Sequence, residues 1–253
     1  MSRGNAARDM TDEQLAGLDS SHLVAVATGQ WLHPLAAAAF AQLQRAAAAA
    51  GFDLAIASSH RTLARQVQIW NGKLRGERPV HDEQGTPLDL AQMPDNRKLA
   101  AVLRFSALPG TSRHHWGTDL DIFDAAALPT HQSARLVPSE VCPGGLFDPL
   151  HRWLDQRMAT HASHGFFRPY ARDRGGVAPE RWHLSYAPLA RHLAIRITPA
   201  LLHTAWAGVD IACRDLVETE LPDLLSRYVS VPADWAGASP RSDPALGSGP
   251  TRD

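Results

Sequence analysis

Ser112-Arg113-His114-His115-Trp116-Gly117-Thr118-Asp119-Leu120-Asp121 is the stretch on which the fold turns. Two histidines and two carboxylates fall close together there, split by a glycine and running into an apolar alternation. Read as a strand, the alternation points Leu120 and Ile122 to one face and Asp119, Asp121 and Phe123 to the other. A strand that buries Leu and Ile on one side and spends two aspartates on the other needs a reason for the aspartates. A bound cation is one such reason.

A second stretch supplies what the first lacks. Glu180-Arg181-Trp182-His183-Leu184-Ser185-Tyr186 also reads as a strand, with His183 and Ser185 on one face and Trp182, Leu184 and Tyr186 on the other. His114, Asp121 and His183 would give a zinc ion two imidazoles and one carboxylate, with the fourth position open to water, as in a catalytic rather than a structural site. Glu180 can stay off the metal and take a proton from water. The competing reading is that these histidines are ordinary core or surface residues. His-x6-Asp with a distant Glu-x-x-His is more specific than any one of them.

Composition narrows the class. A chain of 253 residues with 44% hydrophobic content can bury one sizeable core. A formal charge of −1 carries no basic bias, so nothing argues for nucleic acid or an anionic membrane. The cations are nearly all arginine, lysine occurring only at positions 73 and 98. Cys142 and Cys213 form neither a metal-type pair nor a disulfide framework and read as buried free thiols, a disulfide between them remaining open. No segment approaches the roughly 20 apolar residues of a membrane span. Residues 1–30 hold no apolar run like that of a signal peptide, because Arg3, Arg8, Asp9, Asp12 and Glu13 interrupt it. The expectation is a cytoplasmic protein, with export to the periplasm by a non-standard route as the alternative.

The expected organisation is an N-terminal extension over 1–30, one domain with C-terminal helices over 31–230 and a disordered tail over 231–253. Residues 1–10 are also expected to be disordered. Thr11 and Gln14 have the spacing of a capping box. Pro34 to Ala50 predicts a helix, started by its proline and ended by Gly51. Phe52 to Ser58 predicts a strand and Thr62 to Lys73 a helix. Between strand end and helix, Arg61 is either an anion binder, with Gln66 beside it, or a partner in a surface ion pair. Residues 76–96 predict a long loop, a lid or a rim to a cleft. Helices are expected over Asn96 to Leu108 and Phe147 to His161, then two or three short ones between Ala187 and Tyr228.

Ser-x-His-x-x-Gly-x-x-x-Asp followed by Glu-x-Trp-His resembles the signature of the LAS metallopeptidases, which include lysostaphin-like enzymes, D-alanyl-D-alanine carboxypeptidases and hedgehog domains. Within them the chain is most similar to the VanY-type carboxypeptidases. Ser59-His60-Arg61-Thr62 with Gln66 resembles that group's Ser-x-Tyr-Arg-Ser…Gln element, His60 and Thr62 replacing Tyr and Ser. The resemblance covers roughly residues 34 to 190. It implies an α+β fold, a small antiparallel sheet flanked by helices, with zinc in a cleft across the sheet. It also implies roles: His114, Asp121 and His183 as zinc ligands, and Glu180 as catalytic base. Arg61, Gln66 and Ser112 would hold a substrate carboxylate, Arg61 assisting catalysis as well, and Trp182 would wall the site.

Two positions depart from the pattern. Asp119 stands where a small residue, often Ala, is usual, and Arg181 stands where Pro is common. The activity implied is hydrolysis of the terminal D-Ala bond of peptidoglycan stem peptides or precursors. A D-Ala-D-Ala dipeptidase or an endopeptidase on the same scaffold is the alternative, and a non-enzymatic hedgehog-like zinc module the third.

Overall fold

The computed structural model describes residues 10–231. The expected disordered segments at the two ends lie outside the described residues, apart from Met10 and Val231.

The chain opens with a short helix α1 (Asp12–Ala16), held by the capping box that Thr11 and Gln14 predict. A hairpin follows, β1 (Val24–Ala27) with β2 (Gln30–Leu32). It was not expected from the sequence. Helix α2 (Pro34–Ala49) buries Ala36, Ala39, Phe40, Leu43 and Ala47, the helical repeat of its apolar stripe. Strand β3 (Leu54–Ser58) leads into α3 (Leu63–Leu74), where the Thr62 hydroxyl accepts from the Arg65 N–H at 3.2 Å. The long loop then carries one bridge, His81 to Pro87, before α4 (Asp95–Leu103). This helix ends five residues short of the expected Leu108, and the chain turns through Ser106 to Pro109 toward the central motif.

The central motif folds as a 3-10 turn, Arg113–Trp116, running into strand β4 (Asp119–Asp124). Gly117 makes the joint. Its φ is +67°, and a Cβ there would stand 2.3 Å from Leu23 Cδ2 and 2.9 Å from the His33 nitrogen. Only glycine fits that close approach of the hairpin to the motif. Two helices follow, α5 (Pro138–Val141) and α6 (Asp148–Ala159), then strands β5 (Phe166–Phe167) and β6 (His183–Tyr186). The second motif therefore enters its strand at His183, three residues later than expected. Glu180 and Trp182 lie in the turn before it, because the Glu180 N–H donates to the Tyr170 carbonyl and the His183 N–H to the Glu180 carbonyl.

The main sheet is antiparallel, in the order β3-β4-β6-β5. The α+β architecture expected from the sequence is the one observed. Leu120, Ile122 and Leu184 pack its inner face against α2 and α6, all three fully buried. Burying such a side chain contributes roughly 1.5–3 kcal/mol. The other face carries Asp119, Asp121, His183 and Ser185, which pair across the two central strands as Asp119 with Ser185 and Asp121 with His183.

A second core lies under that face's rim. It joins α1, α3 and α4 to the C-terminal helices α7 (Ala187–Ala190), α8 (Pro199–Ala205) and α9 (Arg214–Leu224), the last running on through a π-helical turn to Val229. Both cysteines are free, but Cys142 is exposed and Cys213 half-buried, so the expectation of buried thiols is corrected. Cys142 follows directly on the short helix α5, which buries Val141 and leaves the cysteine at the surface.

Candidate active site

The two motifs meet. His114, Asp121 and His183 each turn one ligand atom to a common point, and those atoms all lie within 4.8 Å of one another. Asp121 Oδ2 is 3.4 Å from His114 Nε2, and Asp121 Oδ1 is 3.1 Å from His183 Nδ1. All three side chains are buried. Asp121 Oδ1 sits inside the protein without a hydrogen bond, an arrangement that costs free energy unless a cation takes its place among the partners.

The remaining ring nitrogens are committed. His114 Nδ1 donates to the Ser59 carbonyl at 2.8 Å, which leaves Nε2 as the ligand atom. His183 Nε2 lies 3.0 Å from Asp119 Oδ1; a carboxylate accepts, so the proton is on Nε2 and Nδ1 is the ligand atom. Two imidazoles so oriented, one carboxylate and an open fourth side fit zinc, whose catalytic sites use three protein ligands.

Electrostatics tie the trio together. Burial alone would lower His183, but its hydrogen bond to Asp119 and the charges of Asp119 and Asp121 push it up to about 10. Burial would raise Asp121, yet His114 and His183 hold it well below the usual carboxylate range. His114 is lowered, chiefly by burial.

Glu180 stands beside the trio, its Oε2 3.5 Å from His183 Nδ1. Burial pushes its carboxyl up to about 8, against the pull of His183, Arg61 and Lys73.

Arg61 lies at the end of β3, pinned by backbone bonds to the motif: its N–H donates to the His114 carbonyl and its carbonyl accepts from His115 Nδ1 at 2.6 Å. His115 is thereby spent on the backbone. It braces the Arg61 backbone and stays off the metal trio. Arg61 Nη1 donates to Gln66 Oε1 at 2.9 Å, and the Gln66 amide donates to the Ala107 carbonyl at 2.6 Å. Gln66 is fully buried behind Arg61 and spends both polar ends there, so it aims the guanidinium and is not a wall of the cleft. Ser112 and Trp182 do line the cleft, which has a volume of about 410 Å³.

Residues not singled out from the sequence line it too. Lys73, on α3, bonds Ser106 Oγ at 2.6 Å and gives the cleft a cation besides Arg61; burial and the Arg61 charge lower its pKa. Tyr170 packs edge-on against His183, the ring centroids 5.1 Å apart, and burial raises its hydroxyl. One cue was present for Lys73: it is one of two lysines in a chain that otherwise uses arginine. Tyr170 had none. Val80, His81, Asp82 and Gly85 also reach the cleft, so the long loop is its rim.

Arg181, the second departure from the resembling pattern, points away from the site. It bonds the Val141 carbonyl, Asp148 at 3.0 Å and Asp155 at 2.7 Å, fastening the second motif to α5 and α6.

A buried His-Asp-His trio with a neighbouring carboxyl and a cation-lined cleft defines the class of metal-dependent hydrolases. The chain belongs to the D-alanyl-D-alanine carboxypeptidase (VanY) family, whose model matches residues 29–189. Two Haemophilus influenzae relatives are described only as uncharacterized proteins. One is 36% identical over 124 residues, covering 48% of this chain and 92% of the relative. The other is 47% identical over 103 residues, covering 39% and 70%. Among solved structures, a VanY D,D-pentapeptidase from a VanB-type resistance cassette, in complex with Zn(II), matches with 24% identity and a TM-score of 0.48. That match covers 67% of this chain and 80% of the other. The LD-carboxypeptidase LdcB matches with 18% identity and a TM-score of 0.47, covering 74% and 80%.

Proposed function

We propose that this carboxypeptidase is zinc-dependent and hydrolyses the terminal D-Ala bond of peptidoglycan stem peptides or their precursors. The observation that carries the reading is the convergence of His114, Asp121, His183, Glu180 and Arg61 on one cleft. Zinc, when bound, supplies a Lewis acid and makes a water molecule acidic near pH 7, roughly its pKa in such sites.

The chain's own residues do the rest. Glu180 takes the proton of the attacking water and returns it to the leaving amine. Arg61, aimed by Gln66, holds the free carboxylate of the substrate by charge-assisted hydrogen bonds, with Ser112 beside it and Lys73 as a further cation. Trp182, packed on Val141 and Phe147, gives a fixed apolar wall. A substrate whose carboxylate follows the scissile bond matches this lining better than the middle of a peptide strand does.

The test is amino-acid release by zinc-loaded protein from four substrates. These are a stem pentapeptide ending in D-Ala-D-Ala, its C-terminal amide, the tetrapeptide and free D-Ala-D-Ala. The expected result is D-Ala from the pentapeptide and little from its amide. Activity confined to the free dipeptide makes it a dipeptidase, and no release from any of the four sinks the reading. Glu180→Gln should keep zinc and fold while losing about 10²–10⁴-fold in kcat. Near-normal turnover in that variant would show that another group moves the proton.

A further inference from the structure

The face of the sheet that carries the metal trio has a second layer behind it. Asp119 lies two residues before Asp121 on β4, and Ser185 two residues after His183 on β6. The period of the strands puts Asp119 and Ser185 on the same side as the ligands, one step further along. Asp119 is completely buried. Its Oδ1 accepts from His183 Nε2 at 3.0 Å and from Arg113 Nε at 2.8 Å, and its Oδ2 from Thr118 Oγ1 at 2.5 Å. Arg113 also donates to Ser185 Oγ at 2.7 Å and stacks on the Trp116 ring, 4.8 Å from its centroid.

The two imidazoles are therefore supported unequally. His114 leans on a neutral carbonyl, that of Ser59, and His183 on an ionised carboxylate. We propose that Asp119 is a positioning residue for the metal: with Arg113 as counter-charge, it fixes the orientation and the protonated nitrogen of His183 and strengthens His183 Nδ1 as a ligand. A carboxylate behind a ligating histidine is worth about 10–100-fold in metal affinity. Asp119 alone would add a second uncompensated negative charge beside Asp121. Arg113 removes that penalty, so the pair can sit in the core. The alternative is that Asp119 serves only as the buried partner of Arg113.

The inference rests on the zinc reading, and the experiment separates the two. Zinc affinity is measured by competition with a chromophoric chelator, and the thermal midpoint on the metal-free protein. The main variant is the double change Asp119→Ala with Arg113→Met, which removes both buried charges together. Asp119→Asn, of the same shape, is the second, and Ser185→Ala the control that leaves Asp119 in place. The two Asp119 variants should bind zinc about 10–100-fold more weakly, and the control should bind it as the wild type does. Wild-type zinc affinity in either Asp119 variant that folds overturns the proposal, as does failure of both to fold, which assigns the pair to structure alone. A wild-type protein that takes up no zinc instead overturns the metal reading itself.

Discussion

Arg61 is the residue on which substrate choice rests. Among the described residues its guanidinium has one hydrogen-bond partner, Gln66, and Arg61 lies among groups that line the cleft. A hydrogen bond to a charged group contributes about 1.5–3 kcal/mol. Arg61→Ala should therefore lower kcat/KM for a free-carboxylate peptide by roughly ten- to a few hundredfold, at 1.4 kcal/mol per decade. Arg61→Lys should recover only part, because an ammonium cannot make the two-pronged bond. Amidating the substrate should cost the wild type about as much as losing Arg61, and cost the Ala variant much less. The measurement is a double cycle of variant against amidation. Losses that simply add would mean that Arg61 does not touch the carboxylate. The convergence of His114, Asp121 and His183 beside Glu180 was legible beforehand because each motif is local: one turn and one strand deliver His114 and Asp121, and a single turn separates Glu180 from His183. Gln66 was legible as a neighbour of Arg61 but not in its task. Which end of its amide meets Arg61 depends on the Ala107 carbonyl, far along the chain.

Helix α2 shows the same division at the scale of an element. Its span was legible, because proline starts it, glycine follows it, and Leu35, Ala39 and Leu43 repeat at helical spacing. Its cap was not. His33 Nδ1 accepts from the Leu35 N–H at 3.2 Å, a task usually given to Ser, Thr, Asp or Asn. Only the neutral ring can accept, and a cation would also oppose the positive end of the helix. Burial, with the nearby His22, lowers His33 to about 4. The unfolded value is about 6.5. The folded state thus binds fewer protons than the unfolded one between those limits. The stabilisation is whole above about pH 6.5 and is lost progressively as the pH falls toward 4. His33→Asn keeps an acceptor that does not titrate. Its melting temperature should fall less than the wild type's between pH 7 and pH 5, and parallel profiles would refute the cap's role. The hairpin of β1 and β2 escaped prediction for another reason. Its strands are four and three residues long and largely exposed, so burial imposes no alternation to read. The strand expected from Glu180 onward was cut short because two backbone bonds hold its first residues in a turn.

The whole molecule depends on a region beyond the part that matches the family. Residues after Leu189 read as a few short helices of no evident task, yet they close the second core. Trp206 is fully buried, and its Nε1 donates to the Pro109 carbonyl at 3.0 Å. Trp70 reaches the other way, to the Ala212 carbonyl at 3.1 Å, and Asn71 makes bonds of 2.8 Å to the Asp210 carbonyl and the Ala212 N–H. Leu202 lies so close to Gly110 that a Cβ there would stand 2.8 Å from its Cδ2. Pro109 and Gly110 lead directly into Ser112 and His114, and Tyr228 and Val229 line the cleft itself. These helices hold the approach to the central motif in place, so stability and metal binding should fail together when they are disturbed. Trp206→Ala should cost about 3–5 kcal/mol, the range for emptying a buried aromatic site. Trp206→Phe fills most of that space but strands the Pro109 carbonyl, at about 1–3 kcal/mol. Urea unfolding followed by tryptophan fluorescence measures both, and zinc retention at equal folded fraction measures the consequence for the site. Truncation after Ile197 is the severest version and should leave no cooperative transition. A truncated chain that unfolds cooperatively and still holds zinc would make the C-terminal helices an appendage, and the cleft would then need no wall from them.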